Sequence, residues 1–309
     1  MKKRATHFIT IGTFDGVHAG HRFLLAQLEM LAARYRLKPL VLYFPLPPKT
    51  LLGTKPEMTV LTLPKEKKQL LQALGTPAKP LDFATCRNLS PQVFLEDILI
   101  KKFKIGGILV GADFAFGKDR QAGTSWLESY CKKIGIIFEK TRFYKTGTQK
   151  ISSSLIRKIL ASGDIARVND LLGRPYQLTG KVVKGKQLGR HLGFPTANLS
   201  TGIYKILPLG VFAVKVCVGK EIYDGFCNIG FRPTVNPLSG KLPLVEVHIF
   251  NFNKNIYGHN VTIWFIRKLR DEMKFGSLPL LVDQLKQDRR QASQILRRCK
   301  FDPSKKELL

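Results

Sequence analysis

The hydrophobic pattern changes its period near Leu171-Leu172-Gly173-Arg174-Pro175, and this break constrains the fold more than any other feature of the sequence. Ahead of it, short β-rich runs alternate with helical spacing. His7 to Ile11, Lys38 to Phe44, Ile105 to Val110 and Ile136 to Phe138 have the length and make-up of strands. Between them Phe23, Leu24, Leu28 and Leu31 recur at helical intervals. Phe94, Leu95, Ile98 and Leu99 line a second helix, opened by Ser90 as N-cap and Pro91, and Trp126 to Ile134 forms a third. This alternation predicts an α/β domain with a Rossmann-like parallel sheet and helices on both faces.

Beyond the break, Tyr176 to Val183, Val211 to Val218, Ile222 to Ile229, Leu244 to Phe250 and Val261 to Phe265 are β-rich and separated by glycine and proline. Short strands with turn signals predict a small antiparallel barrel or sandwich. Phe275 to Arg298 is expected as one closing helix, interrupted near Pro279. A chain of 309 residues is long enough for two domains, expected at 1–172 and 173–309.

Composition narrows the function classes. The five cysteines, Cys86, Cys131, Cys217, Cys227 and Cys299, are scattered, with no C-x-x-C pair, as reduced thiols are. Lys2-Lys3-Arg4 imitates the basic end of a signal peptide, but the apolar stretch behind it is short. No run approaches the ~18 apolar residues of a membrane span. The expectation is a soluble, cytoplasmic chain with no membrane partner.

The formal net charge of +29 favours a polyanionic partner. The charge is dispersed, however. Lys65, Lys67 and Lys68 form one group, Lys101, Lys102 and Lys104 a second, and Lys286, Arg289, Arg290, Arg297, Arg298 and Lys300 a third. Apolar residues lie between them, as on solvated helix faces, so no dedicated nucleic-acid partner is expected.

Gly12-Thr13-Phe14-Asp15-Gly16-Val17-His18-Ala19-Gly20-His21 joins the first strand to the first helix. Backbone N–H groups at such a joint make a ready anion site, and glycines let a phosphate approach. His18 and His21 are three apart and can face one ligand. A plain glycine-rich turn with two surface histidines would carry the same residues. Ile151-Ser152-Ser153-Ser154-Leu155-Ile156-Arg157 opens a helix with three hydroxyls, which can simply cap it. In the second half, Gly185-Lys186-Gln187-Leu188-Gly189-Arg190 is a basic glycine loop suited to phosphate, or an ordinary barrel loop. Thr196 and Asn198, two apart on an extended segment, face one way and offer hard oxygen donors suited to Mg²⁺.

These segments carry a family resemblance. Gly12 to His21 resembles the ATP-binding signature of nucleotidyltransferases, in the form found in prokaryotic FAD synthetases. Ile151 to Arg157 resembles that family's Ile-Ser-Ser-Thr-x-Ile-Arg, with Ser154 at the threonine. Val110 to Gly117 resembles its Gly-x-Asp/Asn-Phe-x-Phe-Gly loop. Gly185 to Asn198 is similar to the riboflavin kinase signature ending Gly-Phe-Pro-Thr-Ala-Asn. The kinase pattern continues in order through Gly210 to Val214, Asn228 to Thr234, Glu246 to Phe252, Tyr257-Gly258 and Arg270 to Phe275. The chain is identified as a member of the bifunctional riboflavin kinase/FAD synthetase family.

The resemblance implies a nucleotidyltransferase domain followed by a riboflavin kinase barrel with a C-terminal helix. It implies riboflavin, FMN and FAD as substrates and products, and ATP with Mg²⁺ at both sites. In the first site Gly12, Phe14, Asp15, Gly20, Ser152 and Ser153 would bind ATP, with His18, His21 and Arg157 on its phosphates. Asp113 and Phe114 would lie at the flavin. In the second, Gly185, Lys186, Gly189 and Arg190 would bind ATP, Thr196 and Asn198 would hold the metal, and Arg270 would lie at the flavin. Glu246 would be the general base. Two positions depart from the family: Leu46 stands at its usual histidine, and Asn251 at its usual aspartate. Weak self-association stays open.

Overall fold

The computed structural model describes residues 5–53, 59–142, 144–146, 149–185, 187–231 and 243–300. Packing divides these into two compact units, residues 5–53 with 62–153 and residues 59–61 with 154–300.

The first unit runs β1 (His7–Gly12), α1 (Ala19–Arg34), β2 (Lys38–Tyr43), α2 (Pro48–Leu52), α3 (Pro64–Ala73), β3 (Ala78–Pro80), α4 (Phe83–Cys86) and α5 (Pro91–Val93). A π-helical stretch, Phe94–Lys102, continues α5. Then come β4 (Ile105–Gly111), the hairpin β5 (Ala115–Phe116) and β6 (Ala122–Gly123), α6 (Thr124–Ile134), β7 (Ile137–Thr141), and the hairpin β8 (Lys145–Thr146) and β9 (Gln149–Lys150). The sheet has the order β3-β2-β1-β4-β7 and is parallel throughout. Alternation along its strands sends residues to opposite faces. Ile9, Leu40, Leu42, Ile108 and Val110 join one core, and Phe8, Val41 and Leu109 join the other. Ser90 caps α5 by accepting the Val93 N–H, as its sequence predicts.

Three expectations need correction here. Leu25, Leu28 and Ala32 form the buried stripe of α1, while Phe23 is exposed. Leu24 and Leu31 pack half-buried against the same core, so of the spaced residues only Phe23 falls outside the stripe. Lys67 is fully buried rather than solvated. Pro279 does not interrupt the last helix. It occupies the first turn, where proline's missing N–H costs nothing, and the helix begins at Leu278.

The second unit contains α7 (Ser153–Ala161), whose first residue packs with the first unit, and α8 (Ile165–Leu172). Next come β10 (Tyr176–Val183), α9 (Leu188–His191), β11 (Ala197–Ser200), β12 (Gly210–Val218), β13 (Glu221–Gly230), β14 (Leu244–Ile249), β15 (Asn260–Arg270) and α10 (Leu278–Arg298). The six strands close into an antiparallel barrel, β10-β11-β14-β13-β12-β15, so the choice between barrel and sandwich falls to the barrel. The packing division lies ahead of the break in sequence pattern because α8 packs on the barrel. The Asn169 side-chain amide donates to the Phe265 carbonyl at 2.8 Å and its oxygen accepts the Tyr176 N–H at 2.7 Å. Ala292 and Leu296 of α10 cover Val211, Ala213, Phe226 and Phe250 on the outside of the barrel.

Candidate active sites

In the first unit β1 is central, with β2 on one side and β4 on the other. Connections leave β1 toward β2 and β3, and the later strands β4 and β7 add to the opposite edge. Ligands of open α/β sheets bind at the carboxyl ends of the strands at such a reversal. The structure puts two of the motif segments there: Gly12 to His21 after β1, and Gly111 to Phe114 after β4.

The β1 loop is tightly wound. Phe14, Gly16 and Val17 take φ values of 47°, 84° and 40°, a conformation that L side chains rarely adopt. Strain of this kind persists only where surroundings over-determine it, and it clusters at functional sites. Phe14, Asp15 and Val17 are buried. Asp15 is committed to the chain itself. Its Oδ1 accepts the Thr62 N–H at 3.0 Å and the Thr62 hydroxyl at 3.1 Å, and that hydroxyl accepts the Gly16 N–H at 3.1 Å. The Ser153 hydroxyl donates to the Asp15 carbonyl at 2.8 Å, bringing two motif residues together.

His18 caps α1, with Nδ1 accepting the His21 N–H at 3.3 Å. In the neutral ring this acceptor role places the proton on Nε2, where it can be donated to a ligand. His18 and His21 stack with centroids 3.6 Å apart, and Phe14 lies 5.0 Å from His21. A Cβ on Gly20 would lie 3.2 Å from the His18 ring, so glycine keeps that ring's place open.

Asp113 is exposed and pairs with Lys150 at 2.7 Å. Phe114 stacks on Phe116, which meets Trp126 edge-on, and Trp126 stacks on Tyr130. Arg157 packs in the second unit and its Nη1 donates to the Thr59 carbonyl at 3.4 Å.

In the second unit the glycine loop closes on the two oxygen donors. A Cβ on Gly185 would overlap the Asn198 side chain. One on Gly189 would overlap the Phe194 carbonyl and reach within 3.5 Å of the Thr196 hydroxyl. Arg190 is exposed, and Lys186 lies outside the described residues. Glu246 pairs in register with Asn198 on one side and Asn228 on the other. Asn228 pairs with Val211, and Val211 with Arg270. Directly opposed residues share a face. Val211 lies under α10, so this row runs across the outside of the barrel.

Arg270 ends the row but is fully engaged. Its Nε and Nη2 bind the buried Asp288 carboxylate at 2.9 and 2.8 Å, and Nη1 donates to the Asp271 carbonyl at 3.0 Å. Asn251 has φ 53° and accepts a hydrogen bond from Arg289 at 3.4 Å.

Sequence reasoning missed several neighbours. His248 Nδ1 meets the Pro195 carbonyl at 2.8 Å, tying the strand of Glu246 to the loop of Thr196. Burial holds the His248 pKa below the usual imidazole value. The Glu272 carboxylate occupies the space a Cβ on Gly230 would need and accepts the Phe231 N–H at 3.4 Å. Burial, first, raises its pKa, and the nearby Glu246 charge adds to the rise. Glu272 and Asn228 stand inside motifs the sequence shows. Thr62 and Lys67 stand in none that it singles out.

A riboflavin kinase family model matches residues 172–296 and an FAD synthetase family model matches residues 1–155. A bifunctional riboflavin kinase/FMN adenylyltransferase of Haemophilus influenzae is 37% identical over 91% of both chains. The chain belongs to the bifunctional riboflavin kinase/FMN adenylyltransferase family. The Escherichia coli K12 member is 34% identical over 91% of this chain and 90% of its own. A solved structure described as a macrolide-efflux protein from Streptococcus pneumoniae superposes with TM-score 0.81 at 29% identity, covering 93% of this chain and 94% of that one. Among the described residues no helix is long and apolar enough to cross a membrane.

Proposed function

We propose that the chain carries riboflavin to FAD in two ATP-dependent steps, riboflavin phosphorylation at residues 173–309 and adenylyl transfer to FMN at residues 1–172. The observation that carries this reading is the register row that sets Glu246 beside Asn198, next to a loop in which a Cβ on Gly185 or Gly189 would overlap its neighbours. In the kinase step the riboflavin 5′-hydroxyl oxygen attacks the γ-phosphorus of ATP, Glu246 takes the proton, and ADP leaves. Gly185, Lys186, Gly189 and Arg190 hold the phosphates.

Thr196 and Asn198 fit Mg²⁺, because both offer neutral hard oxygens where the glycines bring backbone close. Bound there, the ion would neutralise phosphate charge. Arg270 supports the flavin side through α10, which its pair with Asp288 holds.

In the adenylyl step an FMN phosphate oxygen attacks the α-phosphorus of ATP and pyrophosphate leaves. The chain's part is placement and charge neutralisation. The Gly12–Gly20 loop with Phe14, Ser152 and Ser153 binds ATP. His18 and His21 donate to its phosphates, and Asp15 shapes the loop through Thr62. Asp113 and the aromatic ladder begun by Phe114 take the flavin. The enzyme works in the cytoplasm, with small molecules as its partners and no dedicated nucleic acid. Incubation with riboflavin, ATP and Mg²⁺ tests the reading: FMN should appear first and FAD after it, and absence of either product removes the corresponding step.

A further inference from the structure

We propose that Lys67 is a positioning residue of the adenylyl-transfer site, its buried ammonium holding the loop after β2 in place against the phosphate loop after β1. The proposal rests on the reading of that site given above. Lys67 has no exposed surface. Its Nζ donates to the carbonyls of Phe44 and Pro45, both at 2.9 Å. These residues open the Phe44–Pro47 segment that follows β2. The same segment touches the phosphate loop directly, because the Phe44 N–H donates to the Gly12 carbonyl at 3.2 Å.

The start of α3 ties both loops to one hub. Thr62 holds Asp15 and Gly16 of the β1 loop. Glu66 caps the helix through the Leu63 N–H at 2.9 Å. Lys67, one residue on, holds the β2 loop. A lysine is a costly way to satisfy two carbonyls, since a buried charge loses its hydration. Its charge is partly matched by Asp15, the acid that faces it from the β1 loop. An amine beneath the β2 loop fixes its backbone without contacting substrate.

Burial lowers the Lys67 pKa to about 8, with the Asp15 charge opposing the fall. The amine is therefore charged at neutral pH and loses its proton as pH rises through about 8. The groups facing it are Asp15 from the β1 loop and the Phe44 and Pro45 carbonyls from the β2 loop. Stability moves the other way from activity. Between about 8 and the ordinary lysine value of 10.5 the folded chain binds fewer protons at this group than the unfolded chain, so stability from it rises with pH. Titration of Lys67 therefore does not itself unfold the chain over that range, and riboflavin phosphorylation measured in parallel separates loss of the site from loss of the fold.

The experiment measures kcat and KM for FMN adenylylation between about pH 6.5 and 9.5 in the wild-type chain and in Lys67→Met, with riboflavin phosphorylation as the internal comparison. The wild type should lose FMN adenylylation on a limb near 8, while phosphorylation shows no such limb. Lys67→Met should lower adenylylation kcat about 10- to 100-fold at neutral pH, change KM for ATP less, and lack the limb. A wild-type profile without the limb overturns the proposal, and needs no variant to fold. So does a folded Lys67→Met with full adenylylation, or one that keeps the limb. A wild-type chain that makes no FAD at any pH removes the reading of the site, and the proposal with it.

Discussion

Glu246 stands directly opposite Asn198 across the antiparallel pair β14–β11. Cβ atoms of such pairs lie about 4.5–5.5 Å apart, so a carboxylate and an amide on that face are neighbours. On the other side Glu246 faces Asn228. A general base needs hydrogen-bond reach to the hydroxyl it deprotonates. The register places Glu246 beside Asn198, one of the two residues proposed to hold the metal.

Glu246→Gln keeps the size and hydrogen bonding of the side chain but cannot accept a proton. Riboflavin phosphorylation should fall about 10²- to 10⁴-fold, the usual worth of general-base catalysis. ATP binding should stay close to wild type, and supplied FMN should still become FAD. Near-normal phosphorylation in this variant would falsify the assignment.

His21→Ala should separate the two steps in the opposite sense. Removing one hydrogen bond to a phosphate oxygen in the transition state costs about 2–4 kcal/mol. FAD formation from FMN should therefore drop steeply while FMN formation from riboflavin persists. Equal loss of both activities in a folded protein would argue against two sites.

The glycine loop makes a steric prediction. In Gly189→Ala the new Cβ meets the Phe194 carbonyl, so the loop must shift away from Thr196. Overpacking of this kind costs about 1–3 kcal/mol. The cost should appear as weaker ATP binding and slower phosphorylation, measured by titration and turnover, with FMN adenylylation unchanged.

Asp288 is 1% exposed and takes both ends of the Arg270 fork, with Gln284 donating to the same carboxylate at 2.9 Å. Removing one partner of a buried pair leaves an uncompensated charge, at about 3–5 kcal/mol. Asp288→Ala should lower the thermal midpoint of the second unit and slow phosphorylation together. An unchanged midpoint would show that the pair contributes nothing to holding α10.

The high positive charge should give salt-sensitive, sequence-independent attraction to nucleic acid and no more. Binding to duplex DNA or RNA at physiological salt should be no tighter than about 10⁻⁴ to 10⁻⁶ M. A nanomolar complex that survives such salt would show a dedicated surface.

The sequence by itself determined a parallel α/β unit followed by an antiparallel β unit, and the place in the chain of the glycine motifs. Period 3.6 alternating with strands implies a parallel sheet covered by helices, and β-rich runs broken by glycine and proline imply an antiparallel one, with barrel and sandwich equally able to bury its apolar face. The glycine motifs were readable because glycine recurs where neighbours come close, the Phe194 carbonyl at Gly189 and the Asn198 side chain at Gly185. Tertiary structure alone decided what each charged side chain faces. Lys65, Lys67 and Lys68 are alike in sequence, yet Lys67 is the one that reaches the Phe44 and Pro45 carbonyls, because of its position on α3. Asp15 looked like a ligand and is bound to Thr62, while Arg270 is bound to Asp288. Barrel closure and register set Glu246 between Asn198 and Asn228. Strand pairing joins residues far apart in the chain, and no local spacing encodes which of them will meet.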